Sequence, residues 1–254
     1  QTDNASADAD ADEQWLYMRG GWGELRFGET DGATDNMKVT AASIAAGTGG
    51  IDGWGEVSLV GFYLNNSSDA NKIVYYSPVV GGFQLGVSYT PDADFGPAVG
   101  FPTISTALGD WIEAGATWSG SFTGVDVKVG ASLSTAHDQA GTDDFNGYGF
   151  GATVSFAGVK LGASWAKNDF DVSGDSKVWT AGVGASLGPA DVSLTYVKQN
   201  NSGSIDPQNL VASASVGLAP GLALEADVAF FDYDDPALTD DDGWVSVARL
   251  SLAF

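Results

Sequence analysis

The sequence predicts an all-β fold: an antiparallel transmembrane β-barrel with about 13 strands in this chain. Three observations predict it. Short segments alternate apolar and polar residues with a period of two, which puts the two kinds on opposite faces of a sheet. Tight Gly-rich turns and long acidic connections alternate between the segments, so turns gather at one end of a barrel and loops at the other. The polar faces are mostly Gly, Ser and Thr, whereas a sheet facing bulk water carries abundant Lys and Glu.

The first pair of strands is read over 13–19 and 24–28, joined across Gly20, Gly21, Trp22 and Gly23. A long connection, 29–70, follows; connections of this length are usually functional. The second pair, 72–77 and 83–90, turns from Pro78 to Gly82. A loop over 91–109 carries Pro91, Pro97 and Pro102. The remaining pairs are 110–119 with 125–134, 147–156 with 159–167, 177–187 with 191–198, and 210–218 with 222–231, and a last strand covers 244–254. Parity is clear in 125–133, where Val125, Val127, Val129, Ala131 and Leu133 share one face and Asp126, Lys128, Gly130 and Ser132 the other. In 148–156 the apolar face is Tyr148, Phe150, Ala152, Val154 and Phe156. Strands of ~9–11 residues cross a bilayer when tilted. In lipid the apolar faces point outward and the small polar faces line water.

Composition narrows the function. The net charge is −23, from 33 acids against 10 Lys plus Arg. That excludes the basic footprint a nucleic-acid partner needs. Twenty-seven of the acids fall in the connections, leaving the strands nearly neutral. No stretch approaches the ~20 apolar residues of a spanning helix, and a barrel hides its membrane signal because its two faces cancel in the average. Cys is absent, which excludes disulfides and thiolate metal sites. No composition break divides the chain, so a single domain over 1–254 is expected. Gln1 opens a polar acidic run rather than a signal peptide, so a processed or incomplete chain is expected. Aromatic residues near strand ends, such as Trp22, Tyr75, Tyr89, Trp118, Trp165, Trp179 and Trp244, suit headgroup-level girdles.

Several segments carry a resemblance: WLYMRGGWGELRFG at 15–28 with ETDGA at 29–33, NKIVYYSP at 71–78, GFQLGVSY at 82–89, and the closing RLSLAF at 249–254. In this order and spacing the chain resembles the general diffusion porins of Gram-negative bacteria, most of all their alphaproteobacterial branch. The resemblance implies a 16-stranded barrel, usually a homotrimer, with a long loop folded into the pore. It aligns the first strand here with the family's fourth and 29–70 with the constriction loop. About three strands would then precede this chain, in keeping with the odd count of 13, since bacterial single-chain barrels have an even number. A complete 14-stranded barrel is the alternative arrangement.

The resemblance also implies an eyelet in which acids on the inserted loop face basic residues on the wall. The loop candidates are Glu29, Asp31, Asp35, Asp52 and Glu56. The wall candidates are Arg19, Arg26, Lys72, Lys128 and Arg249. Parity supports the wall set: Arg249 is out of phase with Leu250, Leu252 and Phe254, Lys128 lies on the polar face, and Arg26 alternates with Leu25 and Phe27. For Arg19 parity is ambiguous, because Trp15 and Tyr17 are as apolar as Leu16 and Met18. A Lys or Arg facing lipid at mid-depth costs about 2–4 kcal/mol, which favours the lumen for all five. Phe254 matches the terminal aromatic that serves as an assembly signal in the outer membrane.

The expected function is therefore passive diffusion of small hydrophilic solutes and ions through a water-filled, mildly cation-preferring channel. The expected surroundings are outer-membrane lipid and two further copies of the chain, with no nucleic acid. No enzymatic activity is expected: His137 is the only histidine, stands beside Asp138 in a loop, and has no nucleophile placed for it. No cofactor is expected beyond Ca²⁺ held loosely by clustered loop carboxylates. Asp8, Asp10 and Asp12, and Asp240 to Asp242, alternate or cluster without the Gly and Glu of an EF-hand. The competing reading is a non-channel β protein, a β-sandwich module or surface adhesin, in which the apolar faces meet across two stacked sheets.

Overall fold

The computed structural model describes residues 13–92, 108–138, 141, 143–202, 205–233 and 242–253. The expected positions Asp8, Asp10, Asp12, Pro97, Pro102, Asp240, Asp241 and Phe254 lie outside them.

Thirteen strands form one antiparallel sheet in which every strand neighbours the next in sequence. They are β1 Gln14–Gly20, β2 Gly23–Glu29, β3 Asn71–Tyr76, β4 Phe83–Asp92, β5 Leu108–Phe122, β6 Val125–Asp138, β7 Phe145–Phe156, β8 Val159–Phe170, β9 Gly174–Leu187, β10 Ala190–Asn201, β11 Gln208–Ala219, β12 Leu222–Asp232 and β13 Asp242–Leu252. No helix is long and apolar enough to cross a membrane. Among the described residues no ladder joins β13 to β1. Most strands run further at their loop ends than the apolar alternation suggests, because ladder pairing continues past the apolar zone. The turns between β5 and β6 and between β7 and β8 are two-residue hairpins. Their central residues, Thr123–Gly124 and Ala157–Gly158, all have positive φ (51°, 80°, 51° and 81°), the twist that matches flanking right-twisted strands.

The outward face is apolar and open. Leu16 is 78% exposed, Leu133 61% and Leu250 65%, and the outward Phe150, Leu161, Trp179 and Trp244 are exposed too. One sheet with its greasy face bare is not a sandwich, in which those side chains would cover each other. The same parity settles Arg19: Leu16 pairs with Phe27 and Met18 with Leu25 on the outside, so Tyr17–Arg26 and Arg19–Glu24 fall on the inside.

Residues 30–70 lie against the inner face. A short helix α1, Ala33–Met37, packs on β3 to β6. A 3-10 turn, Ala41–Ile44, packs on β7 to β10, and a second, Gly50–Asp52, on β10 and β11. Thr48 N donates to the Asp227 carboxylate on β12 at 2.8 Å. Neighbouring strands are ~4.8 Å apart, so β6 and β11 would lie about 24 Å apart in a flat sheet. Yet Lys38 Nζ, beside the segment on β6 and β7, reaches within 3.5 Å of Asp52 on the segment over β10 and β11. The sheet must curl around the loop.

This contact corrects one expectation. Along much of the wall the small polar face does not line water; it receives the loop. A Cβ on Gly151 would come within 1.8 Å of the Val39 carbonyl oxygen, and Cβ atoms on Gly86 and Gly115 would collide with Met37. Only Gly lets the loop backbone lie that close. Wall hydroxyls then take up loop N–H groups: Thr180 from Ala41, Ser193 from Ala46 and Thr195 from Ile51, at 2.8–3.1 Å. Ile51, Val57, Val60 and Leu64 of the loop bury themselves against Val178, Val197, Val211 and Ala229 of the wall. The loop is held by a dry core as well as by hydrogen bonds.

Candidate functional site: a loop-borne charge cluster facing a paired wall

The loop is fastened at its neck before it enters the lumen. Lys72 on β3 is only 3% exposed. Its ammonium donates to the carbonyl oxygens of Thr30 (2.6 Å) and Ser68, one at each root of the loop. Glu113 on β5, equally buried, accepts from Ser67 N at 3.0 Å and from Ser88 Oγ at 2.7 Å. Ser88 Oγ in turn accepts from Ala33 N at 2.9 Å. Lys72 thus faces inward but lies under the loop.

Beyond the neck the loop gathers charge. Asp35 on α1 accepts from Lys38 Nζ at 2.7 Å and from Asn66 Nδ2 at 3.4 Å. Asp52 completes a bridged trio around the same ammonium. Burial works against the Lys38 charge, but Asp35 and Asp52 outweigh it and hold the lysine above its ordinary pKa. Burial raises Asp52, with Lys38 pulling the other way and Asp35 adding to the rise. Asp31 sits nearer the neck, where a carboxylate oxygen from each of Glu13, Asp31 and Asp69 lies within 4.8 Å of the others. Burial, then the charges of Asp35, Asp69 and Glu13, push its pKa up to about 7. Glu56 stands exposed in the turn after the second 3-10 segment, away from this trio.

Four candidates, Glu29 and the three wall arginines, are placed differently from expectation. Glu29 is not on the loop: it ends β2, in register with Gln14 and Asn71, on the parity of Leu25 and Phe27. The ladder continues one residue past Gly28 and carries Glu29 with it. The wall arginines, in turn, do not reach across to the loop acids. Arg19 and Arg26 both bind Glu24, with Nε to carboxylate distances of 2.5 and 2.6 Å. Arg26 also lies over the rings of Trp15 (4.5 Å) and Tyr76 (5.1 Å). Arg249 binds Glu225 at 2.8 Å and meets the loop only through the Trp54 ring, 5.6 Å away. Lys128 lies on the inner face of β6, in register with Ser119 and Thr153. An open cleft remains between this paired wall and the loop, lined by Arg19, Glu24, Arg26, Asn36, Met37 and Tyr76.

Lys38, Glu24, Glu225 and Glu113 are absent from the sequence-derived set. Weak signals for two exist: Asp35 and Lys38 are three apart, and Glu24 and Arg26 two apart in a strand. Glu225 has no local signal, since its partner lies 24 residues away across a hairpin. His137, expected in a loop, instead stands near the end of β6 in register with Gly109, because the ladder runs on past the apolar zone; its Nδ1 lies 3.2 Å from Asp144, with no nucleophile in the pair.

A curled antiparallel sheet with a bare apolar outside, and a long loop packed against its inside, defines a membrane β-barrel of the channel type. The chain belongs to the Gram-negative porin family, whose model matches residues 1–236. Solved porins share the fold. An anion-selective porin from Comamonas acidovorans superposes with a TM-score of 0.65 at 19% identity, covering 98% of this chain and 76% of that one. The outer membrane protein OmpT of Vibrio cholerae, in its trimer form, gives 0.58 at 15%, covering 98% and 78%. An uncharacterised protein of Rickettsia felis is 22% identical over 305 residues, covering 85% of this chain and 68% of that protein. The family is one of outer-membrane, non-enzymatic channels.

Proposed function

We propose that this chain is a single barrel domain forming a water-filled channel for passive diffusion of small hydrophilic solutes and ions, with a preference for cations. The observation that carries the preference is the pairing pattern. Arg19 and Arg26 share Glu24 and Arg249 is paired with Glu225, which leaves one positive charge on that wall, whereas on the loop Asp35 and Asp52 share the single ammonium of Lys38 and Asp31 and Glu56 add further acid. The excess charge on the loop is negative, and a low-dielectric wall focuses the field of a few such charges. The fold does not decide this, since an anion-selective porin has the same one. Solutes are proposed to pass along the cleft between α1 and the wall of β1 to β3, where the loop leaves the charged wall open. A homotrimer is the proposed assembly, supported by the trimer form of a porin with this fold. Clustered carboxylates at Glu13, Asp31 and Asp69 are compatible with loose Ca²⁺ binding, and no other cofactor is proposed.

Reversal potentials in planar bilayers under a KCl gradient test the proposal. A potential of the sign set by K⁺ supports it; one set by Cl⁻ overturns the selectivity, and no conductance at all overturns the channel.

A further inference from the structure

Three of the ten Lys and Arg residues point away from the lumen, and they stand on three adjacent strands. Parity places Lys167 with Leu161 and Trp165 on β8, Lys177 with Trp179 and Val183 on β9, and Lys198 with Leu194 and Tyr196 on β10; each set is the outward one. All three lie at the loop ends of their strands. Lys167 is directly opposite Lys177, and Lys198 is directly opposite Trp179. Like charges directly opposite each other destabilise a sheet, and a lysine facing lipid is tolerated only near the interface. An aromatic row marks that interface: Trp165 packs on Tyr148, Phe150 and Trp179 at 5.5–6.0 Å between ring centres.

The nearby acids are already engaged on one side only. Lys167 Nζ binds Asp169 at 2.7 Å and Asp175 at 3.5 Å. Among the described residues no ion pair reaches Lys177 or Lys198, although the protein as a whole carries −23. Both flank the exposed Trp179 ring, Lys177 two residues along the same strand and Lys198 across the ladder. Two flexible ammonium groups can therefore converge on one anion above that ring. Below it the outward face drops to Ala163 and Ala181, paired with each other, before rising to Leu161 and Val183. This is a shallow apolar track leading from the lysines toward mid-membrane.

We propose that Lys177 and Lys198 bind the phosphate of a lipid in the loop-side leaflet, with Trp179 as platform and the alanine track receiving an acyl chain. The charge, the interface level and the track fit a phosphate-bearing headgroup with a chain attached better than a protein partner, which would need the row of apolar tips covered. The inference rests on the reading that this face meets lipid.

Purified protein in detergent micelles is titrated with brominated phosphatidic acid, brominated phosphatidylcholine and inorganic phosphate. Quenching at Trp179 is isolated by difference against Trp179→Phe. Two lysines at an anionic surface support a preference of about 30-fold for phosphatidic acid over phosphatidylcholine. Lys177→Gln with Lys198→Gln should remove it, and Lys160→Gln, which faces inward, should not. Equal quenching by the two lipids, persistence of the preference in the double variant, or displacement by inorganic phosphate at the same concentration as the lipid overturns the proposal. So does a Trp179 that neither lipid quenches because a second copy covers it. If neither lipid quenches any tryptophan, the membrane-facing reading itself fails, which separates the two.

Discussion

Replacing Lys72 with Met tests whether the neck of the loop is clamped. The ammonium is nearly inaccessible and donates to Thr30 O at 2.6 Å and to Ser68 O, so it ties the two roots together. Methionine fills much of the same space and donates nothing. The buried Thr30 carbonyl is then left without its partner, costing about 1–3 kcal/mol, while the carbonyl of the exposed Ser68 can turn to water. The neighbouring Glu113 also loses a countercharge, keeping only Ser67 N and Ser88 Oγ. At the low end the carbonyl and Glu113 together come to about 2 kcal/mol, which multiplies the fraction of channels with a released neck about 30-fold. Single-channel recordings should show new current noise and substates, and proteases should cut within 30–70 faster. The strand signal in circular dichroism should not change, because the dry core against Val178, Val197 and Val211 remains. Unaltered noise together with unaltered proteolysis would refute the clamp.

Further outcomes are expected. Lys38→Met removes the ammonium shared by Asp35 and Asp52, so the cation-to-anion permeability ratio should rise by about 2-fold to 5-fold, the modest end of field focusing; a fall would contradict the assignment of the selective charge to the loop. Because the Asp31 pKa is raised to about 7, cation preference should weaken as the bathing pH falls from 8 to 6, and Asp31→Asn should flatten that dependence. The stability sign follows: the folded state binds the Asp31 proton more tightly than the unfolded chain, so this site's contribution is lost as pH rises from about 4 through about 7 and regained on acidification. Thermal unfolding of wild type against Asp31→Asn across that range checks it. Gly151→Val should drive the loop off the wall at a cost of at least about 1–3 kcal/mol, lowering the heat-unfolding temperature and changing the conductance. Gly217→Val, where nothing lies within 4 Å of the added carbon, should be nearly silent.

The strands and their order were legible in the sequence because lipid outside and a narrow interior impose a period of two, and because Gly-rich turns alternate with long acidic loops. That alternation placed Arg26, Lys128 and Arg249 on the inner face without any tertiary information. Three matters were decided only by the tertiary structure. Trp15 and Tyr17 are as apolar as Leu16 and Met18, so the inward face of the first strand emerged only from its register with Glu24 and Arg26. The small inner residues read equally as a water lining or as a bed for a loop, since Gly151 and Ser193 suit both. The loop's path across the lumen chose the bed. Charge pairing was hidden for the same reason: Arg249 finds Glu225 across a hairpin, and Lys38 finds Asp52 because a curved wall brings distant segments of one loop together. A periodic pattern records which face a residue takes; it does not record what else comes to occupy the space in front of it.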